Sequence, residues 1–540
     1  MKAKIQRVVL VGLLTLFLIS VFKNIARPLL WNDEAVTAMF ATRVLTYGYP
    51  KVHDGKNVLN FTEIPDKSVG VKEKYDAWIH VGWAQDYFAA IGVYISSYFD
   101  DFYVKTAILR IPFALAGVIG VLLFPFVFLD LFEDDKHKYT FLILYLFLET
   151  LSVFLALYVR EVRHYSLTLF FTLVILFIFV RYHFFLRGKA IYYLLIPFFM
   201  FLVFNTFFPV FTILISYLGL TVSIRERGNL KKCIVRLLPF LISGVLVLPL
   251  IRFYEIFYVS GEVAKYFVMS VPLYFQNVIF VFKFFFRYEV LVMMLTLKVF
   301  PYILVSDPKG FFKKMRGLTI FRVSSFLTVF CIFYTLLIAK MPYLFERYLL
   351  SLQPVLVSVV ILDFFIMNEA LKREKNGTKV AAMIFVAVFV FSSIFKVNIW
   401  LGRIYELFHH YEGPMDYVIP YLAENYRDPT SLVIATNYEE GVYMYYLGSK
   451  VTVGFVGNNL EEDSKVQPDI IIPRMGRDNN LILLNELMSR DHYREVTFPI
   501  YDYQFNNIAE LSLPIAHLFK TKYAQTDEEK FRIYVKEDSN

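Results

Sequence analysis

Apolar residues run along this chain in long windows, each closed by a short cluster of charged or turn-forming positions. Windows long enough to cross a bilayer, about 17–25 residues, fall near 6–24, 105–130, 138–158, 165–185, 190–205 and 207–224. Others fall near 233–251, 288–305, 321–339, 346–366 and 379–400. They predict about eleven transmembrane helices over residues 1–400. Asn205 and Pro209 interrupt the apolar stretch 190–224. The aromatic stretch 263–287 carries Lys265, Gln276, Lys283 and Arg287, a pattern expected of a segment lying in the interface. Beyond about Leu401 the pattern shortens. "TSLVIATN", "SKVTVGF", "PDIIIPR" and "KFRIYVKED" read as strands, with "EEGVYMYYLG" and "NLILLNELMSR" as helices between them. That predicts a soluble α/β domain over 401–540.

Composition agrees with a polytopic membrane protein. Of 540 residues 57% are hydrophobic, 58 are Phe and 38 are Tyr, and only 19% are charged, too few to solvate so much apolar surface. The +8 net charge calls for no nucleic-acid partner, because cytoplasmic membrane loops collect Lys and Arg. Cys233 and Cys331 lie in or beside apolar spans and form neither a disulfide framework nor a zinc site. Lys2, Lys4 and Arg7 precede the first apolar run as in a signal peptide; no small-residue cleavage site follows, so the segment reads as an uncleaved span.

Charge asymmetry orients the chain. With the N-terminus inside, the inner loops hold Arg187–Lys189, then Arg225, Arg227, Lys231 and Lys232. Further along they hold Lys309, Lys313, Lys314 and Arg316, then Lys372, Arg373 and Lys375. The outer loops hold few basic residues, chiefly Arg160, Arg163, Lys340 and Arg347. This places the long loop 25–104 and the C-terminal domain outside the plasma (inner) membrane. Asn60 begins an "NFT" sequon in that loop, too short a pattern to carry weight.

Three polar clusters then meet on one side of the membrane: loop 25–104, with Asp33 and Glu34 in "PLLWNDEAVTAMF"; "YVREVRHYSL" at 158–167; and "AKMPYLFERYLL" at 339–350. Charge at the edge of hydrocarbon is costly and faces a polar cavity or another charge. A carboxylate pair opposite several guanidiniums suits transfer of a sugar from a lipid phosphate, since the arginine fork matches the phosphate oxygens as negative charge grows there. A carboxylate at the rim, Asp33, is the expected general base, and a single base without a covalent intermediate predicts inversion. Neither metal nor cofactor is required in this scheme. If the turn 158–167 is helical, Arg160 and Arg163 share a face beside His164. Glu34 is placed to orient the acceptor or to cap the helix after it, and Glu161 to pair with a neighbouring arginine. Arg110, inside the second span, needs a partner, with Glu34 and phosphate as the two choices. His53 and His80 read as hydrogen-bonded structural histidines.

The same motifs resemble a known group. "WNDEAVTAMFATRVLTYGYPKVHDGK" is similar to the first outer loop of GT-C fold glycosyltransferases that use polyprenyl-phosphate sugars, the superfamily of protein O-mannosyltransferases and aminoarabinose transferases. "ILRIPFALAGVIGVLLF" (108–124) resembles their entry to the second span, "REVRHYSL" their Arg–x–Tyr loop, and "ERYLLSLQPVL" (346–356) their later Arg–Tyr–Leu turn. The likeness spans roughly residues 1–400 in order and orientation. It implies a catalytic Asp33 supported by Glu34. It also implies that the loop arginines, Arg160, Arg163 and Arg347, meet the donor phosphate; Tyr165 and Tyr348 read as their companions there, with Arg110, Glu161, His80, His53 and Lys340 as supporting candidates. The donor would be a polyprenyl-phosphate sugar and the acceptor a glycan, lipid or protein hydroxyl. The chain departs from the group at "WIHVGWAQDY" (78–87), where many relatives have a His–Pro–Pro run, and it lacks the Trp–Trp–Asp–x–Gly motif of oligosaccharyltransferases. A lipid or sugar transporter, and a non-catalytic glycolipid-binding relative, are the alternatives; a transporter would show internal repeats and ionisable residues deep in its spans.

Overall fold

A computed structural model describes residues 2–59, 70–258, 269–304, 308–372, 376–455, 460–474, 476–502 and 520–537, with residues 63, 64, 67, 68, 457 and 511 between them. The sequon at Asn60, residues 263–268 of the aromatic stretch, and Arg373 and Lys375 lie outside the described residues.

Helix α1 (Lys2–Phe22) is followed by α2 (Asn32–Tyr47) and α3 (Ala84–Ser96), then by α4 (Phe102–Leu123), α5 (Asp135–Leu151), α6 (Val153–Tyr158) and α7 (His164–Phe185). The body continues through α8 (Lys189–Thr206), α9 (Phe208–Arg225), α10 (Leu230–Phe253), α11 (Val271–Tyr288) and α12 (Leu291–Leu304). It ends with α13 (Thr319–Ile338), α14 (Gln353–Leu371), α15 (Gly377–Ser393) and α16 (Val397–Phe408). Among the described residues, nine helical segments are long and apolar enough to cross a membrane. The two remaining apolar windows are shorter helices. Window 138–158 is broken at Ser152, which is extended and caps α6 by accepting from the Leu155 N–H at 3.1 Å; window 288–305 is α12. The stretch 190–224 divides into α8 and α9 at Phe207, whose φ of −150° and ψ of 92° end one helix and start the next. Residues 397–408 remain helical, so α16 runs past the expected boundary at 401.

The first loop is itself structured. Arg43, almost fully buried on α2, donates to the Lys51 carbonyl at 2.9 Å, the Asn57 carbonyl at 2.9 Å and the Asp54 carboxylate at 2.7 Å, and also to the Val52 carbonyl. One guanidinium therefore winds the "YGYPKVHDGK" segment around itself. Further on, a Cβ at Gly82 would lie 2.1 Å from the Asn205 carbonyl oxygen, so only glycine lets the loop close on the end of α8.

The C-terminal part is α/β. Strands β1 (Val433–Thr436), β2 (Lys450–Val453), β3 (Ile470–Ile472), β4 (Tyr493–Tyr501) and β5 (Lys530–Lys536) form one sheet in the order β2-β1-β3-β5-β4. β1 pairs in parallel with β2 and β3, whereas β5 runs antiparallel to β3 and β4. Helices α17 (Met415–Asn425), α18 (Glu440–Leu447) and α19 (Leu481–Ser489) accompany it. The four expected strands and both expected helices are present, and β4 is an addition. This domain does not stand apart from the membrane body. Leu29, Leu30, Val36 and Met39 share one hydrophobic core with Met415, Ile419, Ile434, Val442 and Tyr443. Lys56 Nζ donates to the Thr430 and Gly448 carbonyls at 2.6 Å each, and Asn57 bonds the Ser449 carbonyl and the Val451 N–H, extending the β2 edge. The first loop and the C-terminal domain therefore lie at the same end of the helical body.

Candidate active site

The segment that delivers the acidic pair is clamped from two sides. From the membrane side Arg110 on α4 donates Nη1 to the carbonyls of Ile25 and Pro28 at 2.9 and 2.8 Å. From the other side Asp416 accepts the Leu29 N–H at 3.2 Å, and the Tyr446 hydroxyl accepts the Leu30 N–H at 3.1 Å. Burial pushes the Asp416 carboxyl up to about 6, against the pull of the Gly413 and Leu29 N–H groups. With residues 25–31 fixed, α2 begins at Asn32 with Asp33 and Glu34 in its first turn, where the helix dipole favours negative charge.

Successive residues on a helix point about 100° apart, and the two acids enter different environments. Glu34 is fully buried. It accepts from Arg110 Nε at 2.9 Å, Arg110 Nη2 at 2.5 Å and the Val162 N–H at 3.0 Å. Of the two partners open to Arg110, the fold supplies Glu34, and Glu161 lies within electrostatic reach of the same guanidinium. Asp33 keeps a side-chain exposure of 29%. Its Oδ2 lies 3.5 Å from Arg163 Nη2 and 3.8 Å from Arg347 Nη2, so it is held by two guanidiniums and gripped closely by neither.

Each arginine is itself positioned. Arg163 precedes α7 in an extended conformation, φ −142° and ψ 167°, and donates Nη1 to Thr37 Oγ1 at 3.2 Å. The turn is not helical, so Arg160 and Arg163 diverge. Arg160 is buried against Glu406 on α16 at 2.9 Å, where Arg403 also pairs, and is not brought to Asp33. Arg347 is nearly buried, with its guanidinium 4.3 Å from the Phe345 ring centre, 5.1 Å from Trp31 and 5.7 Å from Tyr165. Those faces hold its charge by cation–π attraction. Tyr348 lies 6.1 Å from Tyr165 and 5.1 Å from Phe207, completing an aromatic floor under Arg347.

The supporting candidates scatter. His53 Nδ1 pairs with Asp76 at 2.6 Å within the first loop. His80 stacks on Trp78 at 5.4 Å, and Lys340 is exposed beyond the end of α13. A carboxyl absent from the expected set does come in: Asp86, at the start of α3 and fully buried, within electrostatic reach of Arg163. Burial, opposed by the charge of Arg163 and a hydrogen bond from Gln85, pushes it up to about 8, so it is largely protonated at neutral pH. Its only sequence signal was an acid within the aromatic run 78–87. A cavity of about 260 Å³ lies between α12, α13 and α14 beside the Lys298–Asp363 ion pair, and Asp33 does not line it. Among the described residues no three His, Cys, Asp or Glu side chains group as metal ligands.

A polytopic helical body, a long first loop carrying an acidic pair, and an α/β domain seated on that loop make up the GT-C architecture expected from the motifs. Among solved structures, apo ArnT from Cupriavidus metallidurans matches 99% of this chain and 98% of its own, with a TM-score of 0.50 and 11% identity. The same protein bound to undecaprenyl phosphate matches 98% and 97%, with a TM-score of 0.49 and 11% identity. The archaeal oligosaccharyltransferase AglB from Archaeoglobus fulgidus, in complex with an inhibitory peptide and a dolichol-phosphate, matches 98% of this chain and 75% of its own, with a TM-score of 0.48 and 12% identity. No family model matches the sequence, and no curated protein does.

Proposed function

We propose that this chain is an integral membrane glycosyltransferase. It moves a single sugar from a polyprenyl-phosphate-linked donor to an acceptor hydroxyl on the extracytoplasmic side, with inversion at the anomeric carbon. The observation that carries this reading is Asp33, part exposed and held at 3.5 and 3.8 Å by the guanidiniums of Arg163 and Arg347. Arrival of a donor phosphate gives Arg163 and Arg347 better acceptors than Asp33. The carboxylate is then free to take the proton of the acceptor hydroxyl as its oxygen attacks the anomeric carbon. The bond from that carbon to the phosphate oxygen breaks, and polyprenyl phosphate departs with a second negative charge. The two arginines bind that dianion more tightly than the starting diester, so they lower the barrier as well as holding the donor. No metal is assigned a role. Tyr165 and Tyr348 support Arg347, Glu34 positions Asp33, and Arg160 has a structural part through Glu406.

The test is sugar transfer from a labelled polyprenyl-phosphate sugar in native membranes. Asp33→Asn is expected to lower the rate by about 10²–10⁴-fold, the usual worth of a general base. Arg163→Ala and Arg347→Ala are expected to lower kcat and weaken donor binding together. A near-normal rate in Asp33→Asn overturns the reading.

A further inference from the structure

The C-terminal domain presents one end of its sheet to the acidic helix. Strands β1, β2 and β3 are mutually parallel through β1, and the chain leaves β2 on one side of β1 to enter β3 on the other. In open α/β sheets, ligands sit beyond the carboxyl ends of the strands at such a reversal. The loops there carry Tyr438 and Glu440 after β1, Phe455 after β2 and Arg477 after β3. Arg477 stacks 4.1 Å from the centre of the Tyr438 ring and 5.1 Å from that of Phe455. The turn is rigid: Arg474 pairs with Glu439 and with Asp502 at 2.9 Å, its N–H donates to Asn437 Oδ1 at 2.8 Å, and Asn437 Nδ2 donates to the Arg477 carbonyl at 2.8 Å.

Gly441, the residue after Glu440, packs directly on α2. A Cβ at Gly441 would lie 3.0 Å from Val36 Cγ2 and 3.1 Å from the Val36 nitrogen, one turn beyond Asp33. Asp33 is within electrostatic reach of both Tyr438 and Glu440. Glu440 is 1% exposed, and among the described residues its Oε2 has no hydrogen-bond partner. Among the described residues Trp31 Nε1 and Asn32 Oδ1, in the two residues before Asp33, are also buried without hydrogen-bond partners. Buried polar atoms are normally satisfied, and leaving one unmade costs about 1–3 kcal/mol, so a group of them at one junction calls for a function. Burial first, then the charge of Asp33, favour the neutral carboxyl of Glu440 against the pull of the Glu440 and Phe455 N–H groups, and that form can donate as well as accept.

We infer that the C-terminal domain completes the site, with Glu440 hydrogen-bonding a hydroxyl of a sugar ring seated opposite Asp33 and the Tyr438–Phe455 aromatic pair beside it. This rests on the glycosyl-transfer reading and extends it to a residue outside the membrane module. The ring is either the sugar being transferred or that of a glycan acceptor; both present the same hydroxyl chemistry.

The test uses the full-length protein in lipid nanodiscs. It is titrated with undecaprenyl phosphate, with undecaprenyl phosphate bearing mannose, glucose or aminoarabinose, and with the corresponding methyl glycosides. At least one sugar-bearing probe is expected to gain about tenfold over its sugar-free counterpart, the worth of one good hydrogen bond. Glu440→Ala is expected to erase that gain while leaving undecaprenyl phosphate binding and thermal stability unchanged or improved; Glu440→Gln is expected to keep most of it. Loss confined to the lipid donors assigns the transferred sugar, and loss confined to the methyl glycosides assigns the acceptor. The inference is overturned if no probe shows the gain, if Glu440→Ala retains it, or if stability and lipid phosphate binding fall with it. If bare undecaprenyl phosphate does not bind, or binds Arg163→Ala equally well, the underlying reading fails instead.

Discussion

Glu34 and Asp33 are adjacent and carry the same functional group, so replacing each in turn separates structural from chemical use of a carboxylate. Glu34→Leu removes the acceptor of two guanidinium bonds and of the Val162 N–H, all inside a fully buried site. Arg110 would keep only the Ile25 and Pro28 carbonyls for a charge it cannot give up. Breaking a buried pair from one side costs about 3–5 kcal/mol. The stranded Val162 N–H adds about 1–3 kcal/mol. Since 1.4 kcal/mol is about tenfold in an equilibrium constant, the folding equilibrium constant should fall by several powers of ten. The double variant Glu34→Leu/Arg110→Leu removes both charges and should recover much of the loss. Asp33→Asn, at a part-exposed site with contacts of 3.5 and 3.8 Å, should change stability by less than about 1 kcal/mol. Thermal unfolding of the purified protein, read beside transfer activity, checks all three. Glu34→Leu with wild-type stability would refute the reasoning, as would a fully folded Glu34→Gln whose transfer falls as far as that of Asp33→Asn.

Asp86 makes stability depend on pH in a defined direction. Its carboxyl is raised to about 8 in the folded chain, so between roughly pH 4 and pH 8 the folded state binds the extra proton. Its contribution is full below the unfolded pKa and is lost as pH rises through 8, an upper bound of about 6 kcal/mol at 1.36 kcal/mol per pKa unit. Asp86→Asn should flatten this slope in unfolding measured from pH 5 to pH 9; an unchanged slope rejects the assignment. Gly441→Val would drive a branched side chain into the Val36 backbone, for which overpacking costs about 1–3 kcal/mol. Limited proteolysis should then cut the C-terminal domain faster and transfer should fall; unchanged protection would show that the contact is dispensable.

The membrane body was legible because a bilayer crossing demands a long apolar run whatever the tertiary context. Every predicted window is a helix, and α5–α6 and α12 are merely shorter than the rest. The short C-terminal strands were legible from their β-branched runs, whereas β4, "YREVTFPIY", alternates from Glu495 to Ile500 but carries Pro499, a residue that argues against a strand interior and is tolerated here because β4 lies at the edge of the sheet. Within the site, the positions facing one another at the membrane edge could be listed from topology, but not their pairing. Arg160 and Arg163 are three residues apart and look equivalent. Only the extended backbone at Arg163, and Glu406 lying 246 residues from Arg160, send them to different partners. Asp86 and Glu440 carried no motif, because what marks them is the deep burial of a carboxyl, and burial is a property of the whole fold.

The depth and closeness of each ion pair sort the arginines that local spacing left undivided. Arg110 with Glu34, and Arg160 with Glu406, are buried pairs at 2.5 and 2.9 Å; an entering phosphate would have to strand a carboxylate in a dry site to displace either. Arg163 and Arg347 meet a carboxylate that water still reaches, and at longer range. Exchanging Asp33 for phosphate therefore strands nothing, since the released carboxylate stays solvated or takes a proton from the acceptor. The closed pairs hold the geometry, the clamp on residues 25–31 transmits it to α2, and the open cluster is where an anion can bind. Closing that cluster is expected to stop donor binding without changing the fold: Thr37→Asp, which puts a carboxylate at the position whose hydroxyl accepts from Arg163 Nη1 at 3.2 Å, should draw the guanidinium out of the site. Undecaprenyl phosphate binding should then weaken while unfolding stays near wild type, and unimpaired binding would mean that Arg163 does not meet the phosphate.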